Sequence, residues 1–119
     1  MKTGFRILAC AGVLTAFAAA ASAADIDGVL IDKMCSTKAI EGGQKAASAH
    51  DRDCALMDGC QKSGYGVYTT DGKYLTFDDA GNTRAIAALK ASKKKDDLKV
   101  RVTGDVDGDH IKVSKVKLM

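Results

Sequence analysis

Three cysteines and one histidine lie close together in the first half of the sequence, and their side chains are the ones best suited to chemistry. They are Cys35, His50, Cys54 and Cys60. His50 and Cys54 are four positions apart, so on a helix they would share one face. Three thiolates and one imidazole suit zinc, and the thiolates also suit Cu(I). We therefore predict a zinc or copper site at these four residues.

The same cysteines allow two other interpretations. In an oxidising compartment a structural disulfide is expected, which would join Cys35 to Cys54 or Cys60 and leave one thiol over. A redox-active thiol is the third interpretation, although the Cys-x-x-Cys motif of many redox proteins is absent. Met57, one turn from Cys54, adds a soft thioether but is expected in the core. The spacing alone leaves metal site, disulfide and redox thiol open.

The first 23 residues have the three regions of a secretory signal in the usual order. Lys2 and Arg6 give a positive start, residues 7–21 are apolar, and a small-residue cleavage pattern ends at Ala23. The apolar stretch is about 15 residues long, shorter than the roughly 20 that a spanning helix needs. We expect cleavage after Ala23, a periplasmic or secreted protein, no remaining transmembrane anchor, and Cys10 lost with the signal.

The remaining segment, residues 24–119, is predicted to form one domain. The signal holds two of the 18 basic residues and none of the 15 acidic ones, so the net charge falls from +3 to +1. Near-neutral charge and the lack of tryptophan argue against a nucleic-acid partner. No catalytic motif stands out, so we predict no catalytic residue and no enzyme activity, and we expect a monomer.

Hydrophobic patterns predict five strands with helices between them. The first strand is expected over residues 27–35, followed by helical stretches at 40–49, interrupted at Gly42 and Gly43, and at 51–58, ending at Gly59. Strands at 66–69 and 73–77 flank an Asp-Gly turn.

The second half of the domain continues the pattern. A helix over residues 84–90 is expected to be capped by Asn82 or Thr83. Strands over 98–103 and 111–118 flank a turn at Asp107–Gly108, with a bulge near Ser114. This order predicts a mainly β fold, α+β by content. It is a five-stranded OB-like barrel with a Cys-containing helical insert, residues 36–64, after strand 1 and a helix between strands 3 and 4. The alternative is an open α+β sheet.

Two stretches of the sequence resemble known bacterial proteins. Residues 28–35, followed by a His and two Cys, resemble the front half of small exported bacterial proteins of uncharacterised function. Residues 71–82 and 98–113 resemble both those proteins and the periplasmic bacterial OB-fold family. The resemblance implies an OB-like barrel and supplies no catalytic residue. The OB-fold family lacks a cysteine-bearing insert, so any special function is expected there.

Three functions are compatible with these features. The first is a non-enzymatic periplasmic or secreted binding protein with zinc or copper at the Cys/His cluster. The second is a disulfide-stabilised structural or interaction module that binds an unknown protein or cell-envelope ligand. The third is a thiol redox protein.

Overall fold

A computed structural model describes residues 23–119. The predicted signal peptide, residues 1–23, therefore lies outside the described residues except for Ala23. None of the described helices is both long and apolar enough to cross a membrane. In chain order the elements are β1 (Ala24–Asp32), α1 (Lys33–Ala49), α2 (Arg52–Ala55), α3 (Asp58–Ser63), β2 (Tyr65–Thr69), β3 (Tyr74–Phe77), α4 (Asp79–Ala91), β4 (Lys99–Asp107) and β5 (His110–Leu118).

The five strands close into a barrel in the order β1-β2-β3-β5-β4, and β4 pairs back with β1. Every pairing is antiparallel except that of β3 with β5, which is parallel. Helix α4 connects β3 to β4, and α1 to α3 form the insert between β1 and β2. The predicted OB-like barrel is confirmed, and the sheet is closed, unlike the open alternative.

The hydrophobic core has two parts. The larger part fills the barrel and includes Leu30, Val67, Val100 and Ile111, closed at one end by Leu89 of α4. The smaller part lies between the outer face of the barrel and α1; its buried members are Val29, Ile31, Ala39, Ala47 and Tyr68. The second half of β1, Val29 to Asp32, is buried on both faces because one faces the barrel interior and the other faces α1. That explains its unbroken apolar run.

The first turn and the bulge lie where the sequence predicts them, whereas the last hairpin turn is one residue later than predicted, at Gly108 and Asp109, because Asp107 still pairs with His110. Gly72 and Gly108 have φ values of +86° and +58°, which glycine adopts without strain. The pairing of β4 with β5 shifts between Thr103 and Gly104, so that Ser114 is the extra residue on β5. The slipped alternation of the last strand is therefore a β-bulge.

The start of the insert differs from the prediction. The first strand ends at Asp32, not Cys35, because the Asp32 carboxylate accepts a hydrogen bond from the Cys35 N–H and caps α1. Helix α1 thus begins at Lys33, and Cys35 belongs to its first turn. The predicted interruption is confirmed, since α1 is kinked at Gly43, where φ is +69°.

Two further helix boundaries were predicted wrongly. The expected helix over residues 51–58 is two short helices, α2 and α3, and Gly59 lies inside α3 instead of ending a helix. Helix α4 begins at Asp79, earlier than expected, because Asp78 caps it by accepting from the Gly81 N–H. The earlier cap adds a turn to the helix that closes the barrel.

Candidate metal site

Asp32 is the buried centre of the site. Its side chain has no solvent-exposed surface, and it lies where β1 ends and α1 begins. One carboxylate oxygen, Oδ2, accepts from the Cys35 N–H at 3.0 Å. The other, Oδ1, lies 2.7 Å from Nε2 of His50. A buried carboxylate is costly unless its oxygens are hydrogen-bonded, and here both have a partner.

His50 reaches Asp32 because the chain around it is held on both sides. It is the C-terminal cap of α1, and its N–H donates to the Ala47 carbonyl at 3.2 Å. Just after it, the Arg52 N–H donates to the Lys95 carbonyl at 2.7 Å, and the Arg52 side chain donates to the Leu89 carbonyl at 2.7 Å. These hydrogen bonds hold the chain before and after His50 in place at the end of α1. The position of the imidazole is therefore set by contacts of the neighbouring chain.

While the contact between Asp32 and His50 is kept, it leaves only one ring nitrogen free for a metal. Burial by itself raises the pKa of Asp32. The hydrogen bond and charge of His50, together with the Cys35 N–H, outweigh that effect and hold this pKa below its usual value. An ionised carboxylate only accepts, so Nε2 carries the shared proton. The nitrogen left for a metal is Nδ1, as in sites where a carboxylate orients a metal-binding histidine.

Cys35 completes a set of three donors of different kinds. One ligand atom each from Asp32, Cys35 and His50 lies within 4.8 Å of the other two. The cysteine is half-buried, and its position is fixed by the same hydrogen bond that caps α1. Zinc binds carboxylate, thiolate and imidazole ligands, and copper binds the last two, so these three groups suit zinc as a set and copper in part.

Cys60 lies next to this set. It is 4% exposed and belongs to α3. The end of α3 is tied to the start of α1, since the Met34 N–H donates to Ser63 Oγ and that hydroxyl donates to the Cys60 carbonyl. The negative charge of Asp32 is close enough to raise the pKa of the Cys60 thiol, but Cys60 lies outside the set of three donors within 4.8 Å of one another. Of the two cysteines outside that set, Cys60 is buried and Cys54 is exposed, so Cys60 is the better candidate for the fourth ligand that tetrahedral zinc requires.

Cys54 lies at the edge of the site. Its side chain is exposed, and it is not among the three donors that lie within 4.8 Å of one another. The expected shared helix face with His50 is absent, because His50 and Asp51 have extended backbone angles and separate α1 from α2. The Cys54 N–H instead donates to the Asp51 carboxylate and starts α2.

The pKa of each of the three described thiols is raised. Burial raises the pKa of the Cys60 thiol to about 12, and the nearby Asp32 carboxylate adds to the shift. Burial and the same carboxylate also raise the pKa of Cys35. The pKa of Cys54 is raised mainly by the negative charge of Asp51. A metal ion that binds here must therefore displace thiol protons.

These pKa directions predict the order in which the thiols react. At pH 8 a thiol with a pKa near 12 is ionised in only about one molecule in ten thousand, so Cys60 should react with iodoacetamide last. Exposed Cys54 should react first. Peptide mass mapping of the reduced, metal-free protein over time measures the order. Unfolding in urea should equalise the rates, and a native Cys60 that reacts as fast as Cys54 would contradict the burial argument.

A metal ion that binds at this cluster must rearrange the contact between Asp32 and His50. Two ligands about 2.0 Å from a tetrahedral ion are about 3.3 Å apart, whereas Asp32 Oδ1 and His50 Nε2 are 2.7 Å apart. These two atoms are hydrogen-bonded and cannot both bind one ion as they stand. Either Asp32 rotates away from the ring and binds directly, or it keeps its hydrogen bond and orients His50, which binds through Nδ1. The first arrangement uses the three donors that lie within 4.8 Å of one another, including the Cys35 thiol.

The sequence analysis missed Asp32. It was interpreted as one residue of an apolar strand, because the residues before it and Met34 after it continue the hydrophobic run. The available signal was an acid three residues before a helix-compatible cysteine, which is the spacing of an N-terminal cap. That the cap also contacts a histidine 18 residues later depends on the path of α1.

The described part of the chain contains three cysteines, all free thiols: Cys35, Cys54 and Cys60. Met57, expected in the core, is 59% exposed, so that expectation was wrong. Fold and site together describe a small OB-like barrel protein with a partly buried Asp/Cys/His cluster where β1 meets the helical insert. Comparison of the chain with protein-family models, curated proteins and solved structures finds no significant match.

Proposed function

We propose that this chain is a small exported binding protein whose cluster of Asp32, Cys35 and His50 holds one zinc or copper ion. Cys60 supplies the fourth ligand in this proposal, and Cys54 stays outside the ligand set. The barrel acts as a rigid support, because β1 fixes Asp32 and α1 fixes both Cys35 and His50.

The observation that carries the proposal is the convergence of three different donor groups at a buried carboxylate. One ligand atom of each lies within 4.8 Å of the others, although His50 is 18 positions from Asp32. Charged residues are rarely fully buried without a partner. A buried acid that contacts an imidazole beside two thiols is typical of sites where a cation replaces shared protons.

The state of the thiols favours metal binding over a redox role. Reactive cysteines have lowered pKa values and partial exposure. Here the pKa of each described thiol is raised, and Cys60 is buried. Thiols of this kind are poor nucleophiles but become good ligands once a metal has displaced their protons.

The proposed location is the periplasm or the medium. The predicted signal peptide supports export to the periplasm or the medium, where Cys thiols survive best when a metal or a disulfide protects them. The proposed partner is a protein or cell-envelope component that exchanges the metal.

The test is metal uptake by the reduced, chelator-treated protein. We expect one zinc or Cu(I) ion per chain, with a dissociation constant of about one micromolar or tighter, measured by competition with a chromophoric chelator. Binding should protect Cys35 and Cys60, but not Cys54, from alkylation. Failure to take up either metal would refute the proposal. A Cys35–Cys60 disulfide that persists in the presence of a chelator would favour the disulfide-stabilised module instead.

A further inference from the structure

The barrel has a groove at the end that α4 does not cover. Helix α4 follows β3, and its Leu89 packs into the core at that end of the barrel. At the other end, a groove of about 580 Å³ lies between residues 25–27 of β1, the β2–β3 turn and the β4–β5 turn. We call it the mouth groove. It lies about 20 Å along β1 from Asp32, so it is separate from the metal site.

The start of β1 has an unpaired backbone edge along the mouth groove. Residues 24–29 pair with β4, whereas pairing with β2 begins only at Gly28, opposite Thr69. Within the described chain, residues 24–27 make no backbone hydrogen bond to the turn that follows β2. Alternate N–H and C=O groups of this short segment therefore point away from β4 without a strand partner. An edge of this kind can pair with an added peptide strand.

The floor of the mouth groove is apolar. Ile26 packs against the barrel core, and Leu75 belongs to it. Val106 alternates along β4 with the buried Val102 and Gly104, so it faces the barrel interior, yet it is 47% exposed. An aliphatic side chain of a ligand would remove the surface of Val106 from water, which favours binding.

The rim of the mouth groove is acidic. Its charged residues are four aspartates and one lysine: Asp25, Asp27, Asp71, Asp109 and Lys73. Asp27 is paired with Arg101, so three aspartates remain against one lysine. Threonine hydroxyls donate to Asp25 and Asp71 and hold these two carboxylates in place. An excess of negative charge at a concave surface attracts a cationic ligand.

From the open edge, the apolar floor and the acidic rim together, we infer that the mouth groove binds an extended basic segment of a partner protein, which adds a strand to β1 at residues 24–27. The backbone of the segment pairs with the free edge, its aliphatic side chains contact Val106, and its lysines or arginines lie against the rim aspartates. A second copy of this chain fits less well, because two acidic rims would repel each other.

The probe is a synthetic fluorescent peptide of alternating lysine and valine residues, whose binding to the purified protein is measured by fluorescence anisotropy. One comparison peptide has glutamate in place of lysine. Another has methylated backbone nitrogens along one edge, so that this edge cannot donate hydrogen bonds to β1. Sedimentation of the protein alone reports whether it self-associates.

Two double variants of the protein test the rim. Asp25→Asn with Asp71→Asn removes two rim charges but keeps side-chain oxygens that can accept from the threonines. Asp53→Asn with Asp96→Asn is the matched control, since both aspartates are exposed and lie outside the groove. Urea unfolding midpoints equal to that of the parent show that both double variants keep the fold.

We expect the rim variant to bind the lysine peptide about tenfold more weakly than the parent, and the control variant to stay within about twofold. The glutamate and methylated peptides should also bind about tenfold more weakly, and added salt should weaken binding of the lysine peptide.

Three results would overturn the inference. Absence of binding, or equal loss in both double variants, would mean that the rim recognises no basic segment. Full-strength binding of the methylated peptide would mean that no strand is added. A protein that self-associates and thereby excludes the peptide would assign the edge to a second copy of the chain.

Discussion

Replacing Cys35 with serine is expected to lower the affinity for the bound metal by about 100-fold or more. Cys35 is the thiol that lies with Asp32 and His50 in the set of donors within 4.8 Å. Serine keeps the size of the side chain, but its hydroxyl does not ionise near neutral pH, and its oxygen is too hard for Cu(I). Chelator competition at fixed pH measures the change.

Cys54→Ser is the matched control for this prediction. It makes the same chemical change on the same insert, but at an exposed side chain outside the donor set. We expect its affinity to stay within about threefold of the parent, the range of an indirect effect. If Cys54→Ser and Cys35→Ser weaken binding equally, the site contains Cys54, as the sequence analysis first predicted, and the arrangement centred on Asp32 is wrong.

Replacing Asp32 with alanine is expected to destabilise the metal-free fold by about 3 to 5 kcal/mol. The change removes the cap of α1, which contributes about 1 kcal/mol at a typical helix start, and leaves His50 without its buried partner. This is a large part of the 5 to 15 kcal/mol that stabilises an ordinary domain. Urea unfolding of the reduced, chelator-treated protein measures the loss.

Asp32→Asn removes the negative charge but keeps the capping hydrogen bond, because the asparagine side-chain oxygen can still accept from the Cys35 N–H. We expect it to lose less stability than the alanine variant. Asp27→Asn is the control. Asp27 pairs with Arg101 on the barrel surface, where exposed ion pairs contribute little to stability. The urea unfolding midpoint of this variant should therefore hardly change. An Asp32→Ala variant as stable as Asp27→Asn would show that the buried pair does not hold α1 in place.

The pH dependence of stability has a definite sign at Asp32. The folded state lowers the pKa of this carboxyl below its ordinary value of 3.8, so the ionised form favours folding. Its contribution is complete above about pH 4 and is lost as the pH falls through the lowered pKa. Between pH 5 and pH 2 the parent should therefore lose more stability than Asp32→Asn, as measured by urea midpoints at each pH. Parallel pH profiles would contradict this.

Local chemistry made much of the barrel predictable. Asp71–Gly72 and Asp107–Gly108 are turn sequences whose glycines need positive φ, and the slipped alternation before Val116 requires an extra residue. The helix starts were less predictable because they depend on which acidic residue accepts a hydrogen bond from the first turn of the helix. Asp78 caps α4 and Asp32 caps α1, and both helices therefore begin earlier than expected. Each capping side chain also has a distant partner: Val113 for Asp78 and His50 for Asp32.

The site was only partly predictable because its centre depends on tertiary structure. Residue types indicated Cys35 and His50, which the structure places beside one carboxylate, and also Cys60, which is buried but lies outside that set of three donors. Spacing suggested that Cys54 faces His50, but the extended backbone at His50 and Asp51 ends that helix between them. Asp32 became a candidate only once α1 was seen to return His50 to the end of β1.

The most direct test of a metal centre at this cluster is X-ray absorption spectroscopy of the loaded protein. We predict a shell of four or fewer ligands that contains sulfur, at about 2.3 Å for zinc, together with nitrogen or oxygen at about 2.0 Å. The sulfur contribution should fall in Cys35→Ser and stay the same in Cys54→Ser. A shell of six oxygen or nitrogen ligands without sulfur, unchanged by Cys35→Ser, would contradict the proposed site.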